Sequence, residues 1–359
     1  MRILGVIAEY NPFYSGHAAH LEKAKQAYDA DYIVAVMSGN FTQRGEPAIF
    51  DKWTRARAAL MNGIDACIEL PTEFSRAAAG YFAWGAVALL DSIGADAFVF
   101  GAETPDINLL LEKIKLENDE SEIKRRLRAG YSYPRAINAD SKIEAPNDIL
   151  AKEYLRALAC INSQIKPIAV KRSFGQAKEI RRAILNNSWN DEYSGFFADA
   201  TPVNYDSLSS IVAYLILNSD LESFSDMSSE LAYRFKRIIR DKPNVRISEL
   251  IVAAKTKNYT RGRISRALLA LILGISKEKM AKIKSPPKFA RVLAIKEQKK
   301  SPLLGLLSKR LPIMLRAKDA AHFKPEWQED KYTEIYSIAA GRDYNEYKQR
   351  IFDLKEIYF

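Results

Sequence analysis

Cysteine is almost missing from this chain: Cys67 and Cys160 are the only two in 359 residues, and both sit in apolar surroundings. A disulfide framework is excluded as the basis of the fold, and both thiols are expected to be buried. Histidine is nearly as scarce, with three residues, and no carboxylate or cysteine cluster beside them completes a metal-ligand pattern, so no metal site is expected. No apolar run reaches the length of a membrane span, and neither internal repeats nor low-complexity tracts occur. The opening Met-Arg-Ile-Leu-Gly-Val-Ile-Ala-Glu-Tyr lacks a signal-peptide core and places an acid at Glu9, which leads to the expectation of a cytoplasmic protein.

What is present is the composition of a soluble globular protein, 48% apolar and 27% charged. The net charge of +10 is unevenly placed. Residues 1–170 carry 19 Lys/Arg against 22 Asp/Glu, residues 171–359 carry 35 against 22, and residues 255–318 hold 18 basic groups with only Glu278 and Glu297 opposing them. Such a split suggests that one half handles a small molecule and the other a polyanion, most simply nucleic acid. The competing reading is a solvated helical surface that happens to be basic.

Five short runs, Ile3–Ala8, Tyr32–Met37, Ala66–Leu70, Ala97–Phe100 and Ile168–Val170, are nearly continuously apolar, as parallel strands covered on both faces should be. Amphipathic stretches at His17–Tyr28, Lys52–Asn62, Ala77–Ile93 and Asp148–Asn162 lie between them. This βαβ rhythm predicts a doubly wound, Rossmann-like α/β domain over residues 1–185, with right-handed crossovers. Charged, helical-looking material at Glu122–Arg128 and a loop at Gly130–Pro146 interrupt it. Beyond residue 185 the helical period dominates at Tyr205–Leu217, Ser228–Arg240, Arg246–Lys257 and Arg263–Leu273, so 186–359 reads as a mostly helical basic domain. A further α/β element is expected near Leu311–Leu315. The polar, turn-rich Asn186–Thr201 is the expected linker.

Ligands of an open parallel sheet bind at the carboxyl ends of its strands. The residues that follow the predicted strands are Glu9-Tyr10-Asn11-Pro12, Ser38-Gly39-Asn40, Pro71-Thr72-Glu73, Gly101-Ala102-Glu103 and Lys171-Arg172. They are polar, small or charged, and they outline one crevice. The first runs on as Asn11-Pro12-Phe13-Tyr14-Ser15-Gly16-His17 into a helix. Free N–H groups at a helix start favour phosphate, and Gly16 admits a ligand close to the backbone. His17 could donate to a developing phosphoryl oxyanion. His20, one turn on, shares its face and either joins the site or packs.

At this point the chain resembles the bacterial tRNA-Met cytidine acetate ligase family, within the His-x-Gly-His nucleotidyltransferase superfamily. The resemblance rests on Gly5-Val6-Ile7-Ala8-Glu9-Tyr10-Asn11-Pro12-Phe13-x-x-Gly16-His17-x-x-His20-Leu21 and on Val36-Met37-Ser38-Gly39-Asn40-Phe41-x-Gln43-Arg44-Gly45-Glu46-Pro47-Ala48. Further similar strings are Asp51-Lys52-Trp53-Thr54-Arg55, Ile68-Glu69-Leu70-Pro71, Phe100-Gly101-Ala102-Glu103 and Pro146-Asn147-Asp148-Ile149-Leu150. Lys255-Thr256-Lys257-x-Tyr259-Thr260-Arg261 adds to them in the basic half. The resemblance implies that acetate attacks the α-phosphate of ATP to give acetyl-adenylate, and that the wobble cytidine of elongator tRNA-Met then takes the acetyl group, forming N4-acetylcytidine. It further implies ATP contacts from Ile7, Ala8, Glu9, Tyr10, Asn11, Pro12, Phe13, Tyr14, Ser15, Gly16, His17, Ala18, Ala19 and His20, with Gly101, Asn147 and Arg172. His17 and Lys52 are the catalytic candidates, and Mg2+ is expected only as the usual companion of ATP phosphates.

Several alternatives stay open. Lys52, Arg55 and Arg44 add charge at the phosphates or form a surface ion-pair network. Asn147 meets the ribose or caps its helix, and Arg181 is a second phosphate ligand or a plain helix-surface residue. The chain also departs from the family: Tyr14 replaces the first signature His, Ser173-Phe174-Gly175 stands where a Gly-Tyr-His-Asp stretch is usual, and Gln176-Ala177-Lys178-Glu179 replaces a Ser/Thr-rich approach to Arg181. Two rivals follow, an adenylyltransferase acting on a small phosphorylated substrate and a nucleotide- or tRNA-binding protein without catalysis. For tRNA, Lys255–Arg263 and the five lysines of Lys277–Lys288 offer phosphate contacts. Tyr259, Phe289, Phe323 and Trp327 could stack on bases or belong to the core.

Overall fold

The computed structural model describes residues 1–117, 125, 128, 145–172, 176–283, 285–316, 319, 328–343 and 345. Most of Glu122–Arg128 and of the loop Gly130–Pro146 lies outside these, as do Ser173-Phe174-Gly175, Phe323 and Trp327. Four parallel strands appear in the order read from the apolar runs: β1 Ile3–Ala8, β2 Tyr32–Ser38, β3 Ala66–Leu70 and β4 Ala97–Ala102. A fifth, β5 Lys166–Lys171, pairs parallel with β4. Period-two alternation splits their side chains between two cores. Leu4, Val6, Ala35, Met37 and Val99 face one, and Ile3, Val34, Val36, Phe98 and Phe100 face the other.

Aspartates pin the register at the amino edge of the sheet. Asp31, Asp65 and Asp96 each directly precede a strand, and each accepts a backbone N–H from the neighbouring one. The donors are Arg2 N at 2.7 Å, Ile33 N at 2.9 Å and Ile3 N at 2.7 Å. A shift of one residue would break these bonds and turn every side chain to the wrong core.

The helices of the first half are α1 Ser15–Ala27, α2 Lys52–Met61, the single turn α3 Thr72–Ser75, α4 Ala79–Ser92, α5 Ile107–Glu117, α6 Pro146–Cys160 and α7 Ala177–Leu185. Asp51 starts α2 by accepting from Trp53 N and Thr54 N, both at 3.0 Å. The second half supplies α8 Ser209–Asn218, α9 Ser229–Asp241, α10 Ile247–Ala254, α11 Arg261–Leu273, α12 Lys277–Lys282, α13 Lys300–Leu307 and α14 Glu329–Ala340. Among the described residues no helix is long and apolar enough to cross a membrane.

Three features differ from the sequence expectation. The sheet has seven strands in the order β5-β4-β1-β2-β3-β6-β7, because β6 Ala290–Ile295 joins β3 antiparallel and β7 Ile313–Met314 follows it, so the second half completes the sheet. Asn186–Thr201 is no free linker: Phe197 stacks on Phe50 at 4.7 Å between ring centroids, with Trp189 beside both. Cys67 is buried as expected, but Cys160 is exposed at the end of α6.

One buried cation ties the carboxyl edge together. Arg55, on α2, is fully buried. Its Nε donates to Phe50 O at 2.9 Å and its guanidinium also reaches the carbonyls of Glu9, Ser38 and Gly39, which end β1 and β2. Replacing it by Met would leave four acceptors without donors at a cost of at least about 3 kcal/mol. Urea unfolding of Arg55→Met should show that loss. A midpoint within experimental scatter of the wild type would mean that these carbonyls find other partners.

Candidate functional site

Strand order reverses at β1, which pairs with β2 on one side and β4 on the other. The crevice of such a sheet opens there, beyond the carboxyl ends. The loop from β1 to α1 fills one side of it. Tyr10 takes a left-handed backbone, φ 45, a strained choice for a non-glycine residue. Asn11 is buried and holds the loop at both ends, its Oδ1 accepting from Ile49 N and its carbonyl from Arg181 Nη1, each at 2.8 Å. Glu9 turns its carboxylate to Gln43 N, 2.8 Å away.

The head of α1 has no side-chain cap, so its first-turn N–H groups are not taken up by one. Tyr14 lies buried over Gly16, where a Cβ would come within 2.6 Å of the phenol ring. A side chain at position 16 would therefore have to displace the Tyr14 ring. The His17 ring is enclosed by Tyr14, Tyr10 and Phe13, with centroids at 4.4, 5.0 and 5.6 Å. Its Nδ1 is buried without a hydrogen-bond partner.

Residues from three other elements stand at the same edge of the sheet. Arg172, at the end of β5, bonds through its N–H to Ala102 O at 3.0 Å and runs its side chain past Gly101, 3.6 Å from where a Cβ would sit. Asn147 donates to Glu103 Oε1 at 2.5 Å. It is not the cap of α6, a place taken by Ala145, while Asp148 secures the β4 end by accepting from Thr104 N at 2.9 Å and Thr104 Oγ1 at 2.8 Å. Arg181 of α7 reaches the loop directly through the Asn11 carbonyl, so it is not a plain helix-surface residue.

Burial first, then the fields of His20, Arg172 and Arg181, push the His17 imidazole down to about 3. His20 falls to about 4 through burial, with Lys23 and Arg172 adding to it. Both rings are neutral near pH 7. The Arg181 guanidinium is lowered by its own burial and by the neighbouring Arg44. The crevice thus holds uncharged imidazoles within a cationic surround, an arrangement that suits a polyphosphate.

Lys52 is the residue that does not fit its expected role. It is buried, and its Nζ lies 2.6 Å from Glu69 Oε1 in the adjoining strand. The expectation that it brings charge to the phosphates is corrected accordingly: its ammonium is already committed to a carboxylate inside the protein. Arg55 is likewise internal. Glu69 was the missed residue, although a carboxylate inside the apolar run Ala66–Leu70 demands a buried partner.

The profile of the HIGH Nucleotidyl Transferase family matches residues 1–350. A tRNA(Met) cytidine acetate ligase of Thermoanaerobacter pseudethanolicus is 35% identical, covering 94% of this chain and 96% of that protein. One of Caldicellulosiruptor bescii is 31% identical over 100% and 99%. The chain belongs to this ligase family. Among solved structures, apo Thermotoga maritima TmcAL superposes with a TM-score of 0.86 at 28% identity, over the full length of both chains. The same protein bound with alpha-thio ATP gives 0.84 at 30%, over 94% of this chain and 95% of that one.

With three histidines in the chain, the His17 signal can be followed singly by NMR. Its ring C–H resonances should not titrate between pH 5 and pH 8, and a midpoint near 6.5 would place the imidazole in solvent. Linkage gives the sign for stability. Below the unfolded value of 6.5 the unfolded chain takes up a proton that folded His17 refuses until about 3, so the fold weakens as pH falls through that window.

Proposed function

We propose that this protein is an ATP-dependent acetate ligase acting on a cytidine of tRNA(Met). The observation that carries the reading is the uncapped head of α1, with Gly16 and a neutral His17 set between the ends of β1 and β4 and faced by Arg172 and Arg181. It agrees with the function named for relatives that match over nearly the whole chain and with the ATP analogue bound by a structural neighbour.

In the first step an acetate oxygen attacks the α-phosphorus of ATP, the bond to the β-phosphate oxygen breaks, and pyrophosphate leaves with its electrons. A neutral His17 donates an N–H to a phosphoryl oxygen as charge gathers on it, which is where a fixed donor has most effect. Arg172 and Arg181 stabilise the departing pyrophosphate, and the loop Ile7–His20, with Gly101 and Asn147, holds the nucleotide. In the second step the cytidine N4 attacks the acetyl carbonyl, AMP departs and N4 loses a proton. Lys52 acts at a distance, holding Glu69 and the carboxyl edge of the sheet in place. Among the described residues no three His, Cys, Asp or Glu side chains converge as metal ligands. Mg2+ is expected as the usual companion of the ATP phosphates.

The basic segment is the tRNA face in this reading. Lys255, Lys257, Arg261 and Arg263 are exposed around the start of α11. Tyr259 belongs to the core, its hydroxyl 2.7 Å from Ser228 Oγ, with the Arg263 guanidinium 4.9 Å above its ring.

Incubation with ATP, acetate and tRNA should yield acetylated cytidine by nucleoside mass spectrometry. His17→Ala should lower acetate-dependent exchange of pyrophosphate into ATP by about 100-fold or more with the fold intact, and undiminished exchange removes His17 from the chemistry. Reversing charge at Lys255, Lys257, Arg261 and Arg263 should weaken tRNA binding and flatten its salt dependence. An unchanged slope moves the tRNA face elsewhere.

A further inference from the structure

A second concavity lies on the same edge of the sheet. It has a volume of about 480 Å³ and opens between the end of β3 and the start of β6. This is within the range of small-ligand sites, about 300–1,000 Å³. Its walls are chemically sorted. Phe74 and Phe289 provide aromatic surface, with Pro286 and Pro287 beside them. The floor carries three carboxylates, of which Glu69 and Glu329 are almost fully buried. Lys282 and Lys288 line the cavity from the solvent side, both exposed.

The floor is built, not incidental. Glu329 receives Thr72 N at 2.7 Å and Thr72 Oγ1 at 2.8 Å, which consumes both its oxygens. Glu73 is held by Lys279 Nζ at 2.6 Å and the Tyr332 hydroxyl at 2.8 Å. Glu69 has one oxygen engaged, Oε1 on Lys52, while its buried Oε2 accepts no hydrogen bond among the described residues and lies 3.8 Å from Arg291 Nε. A buried carboxylate oxygen that is ion-paired with Arg291 but accepts no hydrogen bond keeps lone pairs for an amino group. Lysines around the mouth suit the phosphates of the strand bearing it. Phe289 thereby recovers the stacking role that its sequence position allowed, and Tyr259 does not.

We propose that this cavity receives the base of a nucleotide next to the acetylated cytidine, stacked on Phe289 and read by Glu69 Oε2 through an exocyclic amino group. The inference rests on the ligase reading above. Position sets which nucleotide it is. The ATP crevice opens between β1 and β4 and the cavity between β3 and β6, three strand spacings or roughly 14 Å along one edge. That is too far for the acceptor base and within reach of a neighbour in an unstacked strand.

The test uses the full-length protein and anticodon stem-loop RNAs in which each nucleotide flanking the acceptor is made abasic in turn. Wild type should acetylate one of these RNAs with kcat/KM about tenfold below the intact loop, the size expected for one lost base-stacking contact. Phe289→Ala should treat the two RNAs alike, within a factor of about two on the same scale, while acetate-dependent pyrophosphate exchange stays at the wild-type rate. Lys282→Glu, on an exposed side chain, should weaken stem-loop binding without altering exchange, which guards against a Phe289 variant that folds poorly. Equal discrimination by wild type and Phe289→Ala, or none by wild type, overturns the pocket and leaves the ligase reading standing. Absence of both exchange and acetylated product in wild type overturns the two together.

Discussion

The carboxyl edge of this sheet depends on a guanidinium that never meets solvent. Among the described residues Arg55 has no carboxylate at hydrogen-bonding distance, and backbone carbonyls of Phe50, Glu9, Ser38 and Gly39 satisfy it instead. Carbonyls at strand ends are orphaned by geometry and would otherwise need water. Arginine is the side chain suited to collecting several of them, because its planar fork carries five donors. The consequence is mechanical. The turns after β1 and β2 cannot move independently, so the strained Tyr10 and the head of α1 inherit their positions from a residue on α2.

This explains which parts of the molecule could be read from the chain and which could not. Strands β1 to β4 were legible because each is a short apolar run bounded by polar turns, and their observed limits differ from the apolar runs by two residues at most. The loop before α1 was legible because phosphate chemistry dictates glycine and a donor at a helix start. Lys52 and Arg55 were not, since a charged side chain read alone belongs on the surface. What buries them is Glu69 in one case and main-chain oxygens in the other; Glu69 inside an apolar run announces a buried partner without naming it, and the carbonyls that hold Arg55 leave no mark in local sequence. Strand β6 was hidden for a related reason. Ala290–Ile295 is a short run interrupted by Arg291 within a lysine-rich stretch, and its partner β3 lies more than 200 residues earlier in the chain.

Tyr14 shows how a departure from a motif can be compensated locally. A phenol in place of an imidazole keeps an aromatic ring over Gly16 and against His17. The protonation state of His17 then follows from its surroundings. Packing by Tyr10, Phe13 and Tyr14 leaves the ring half-buried with its Nδ1 out of water, and nearby cations add to the penalty for a second proton. A neutral donor has an advantage beside a triphosphate: it can strengthen its hydrogen bond as negative charge develops without binding the ground state as tightly as a full cation would.

The two halves named by the sequence share one structural frame. Gly45, with φ 78, brings its Cα so close to α11 that a Cβ would sit 2.4 Å from Arg266 N, and Ser265 Oγ donates to the Gly45 carbonyl at 3.0 Å. Arg44 on the same turn faces Arg181 at the ATP crevice. A turn of three residues therefore touches the basic helix on one side and the nucleotide crevice on the other. Because Gly45 has no room to shift, displacement of α11 by a bound polyanion must be carried to Arg44 or resisted by the whole turn.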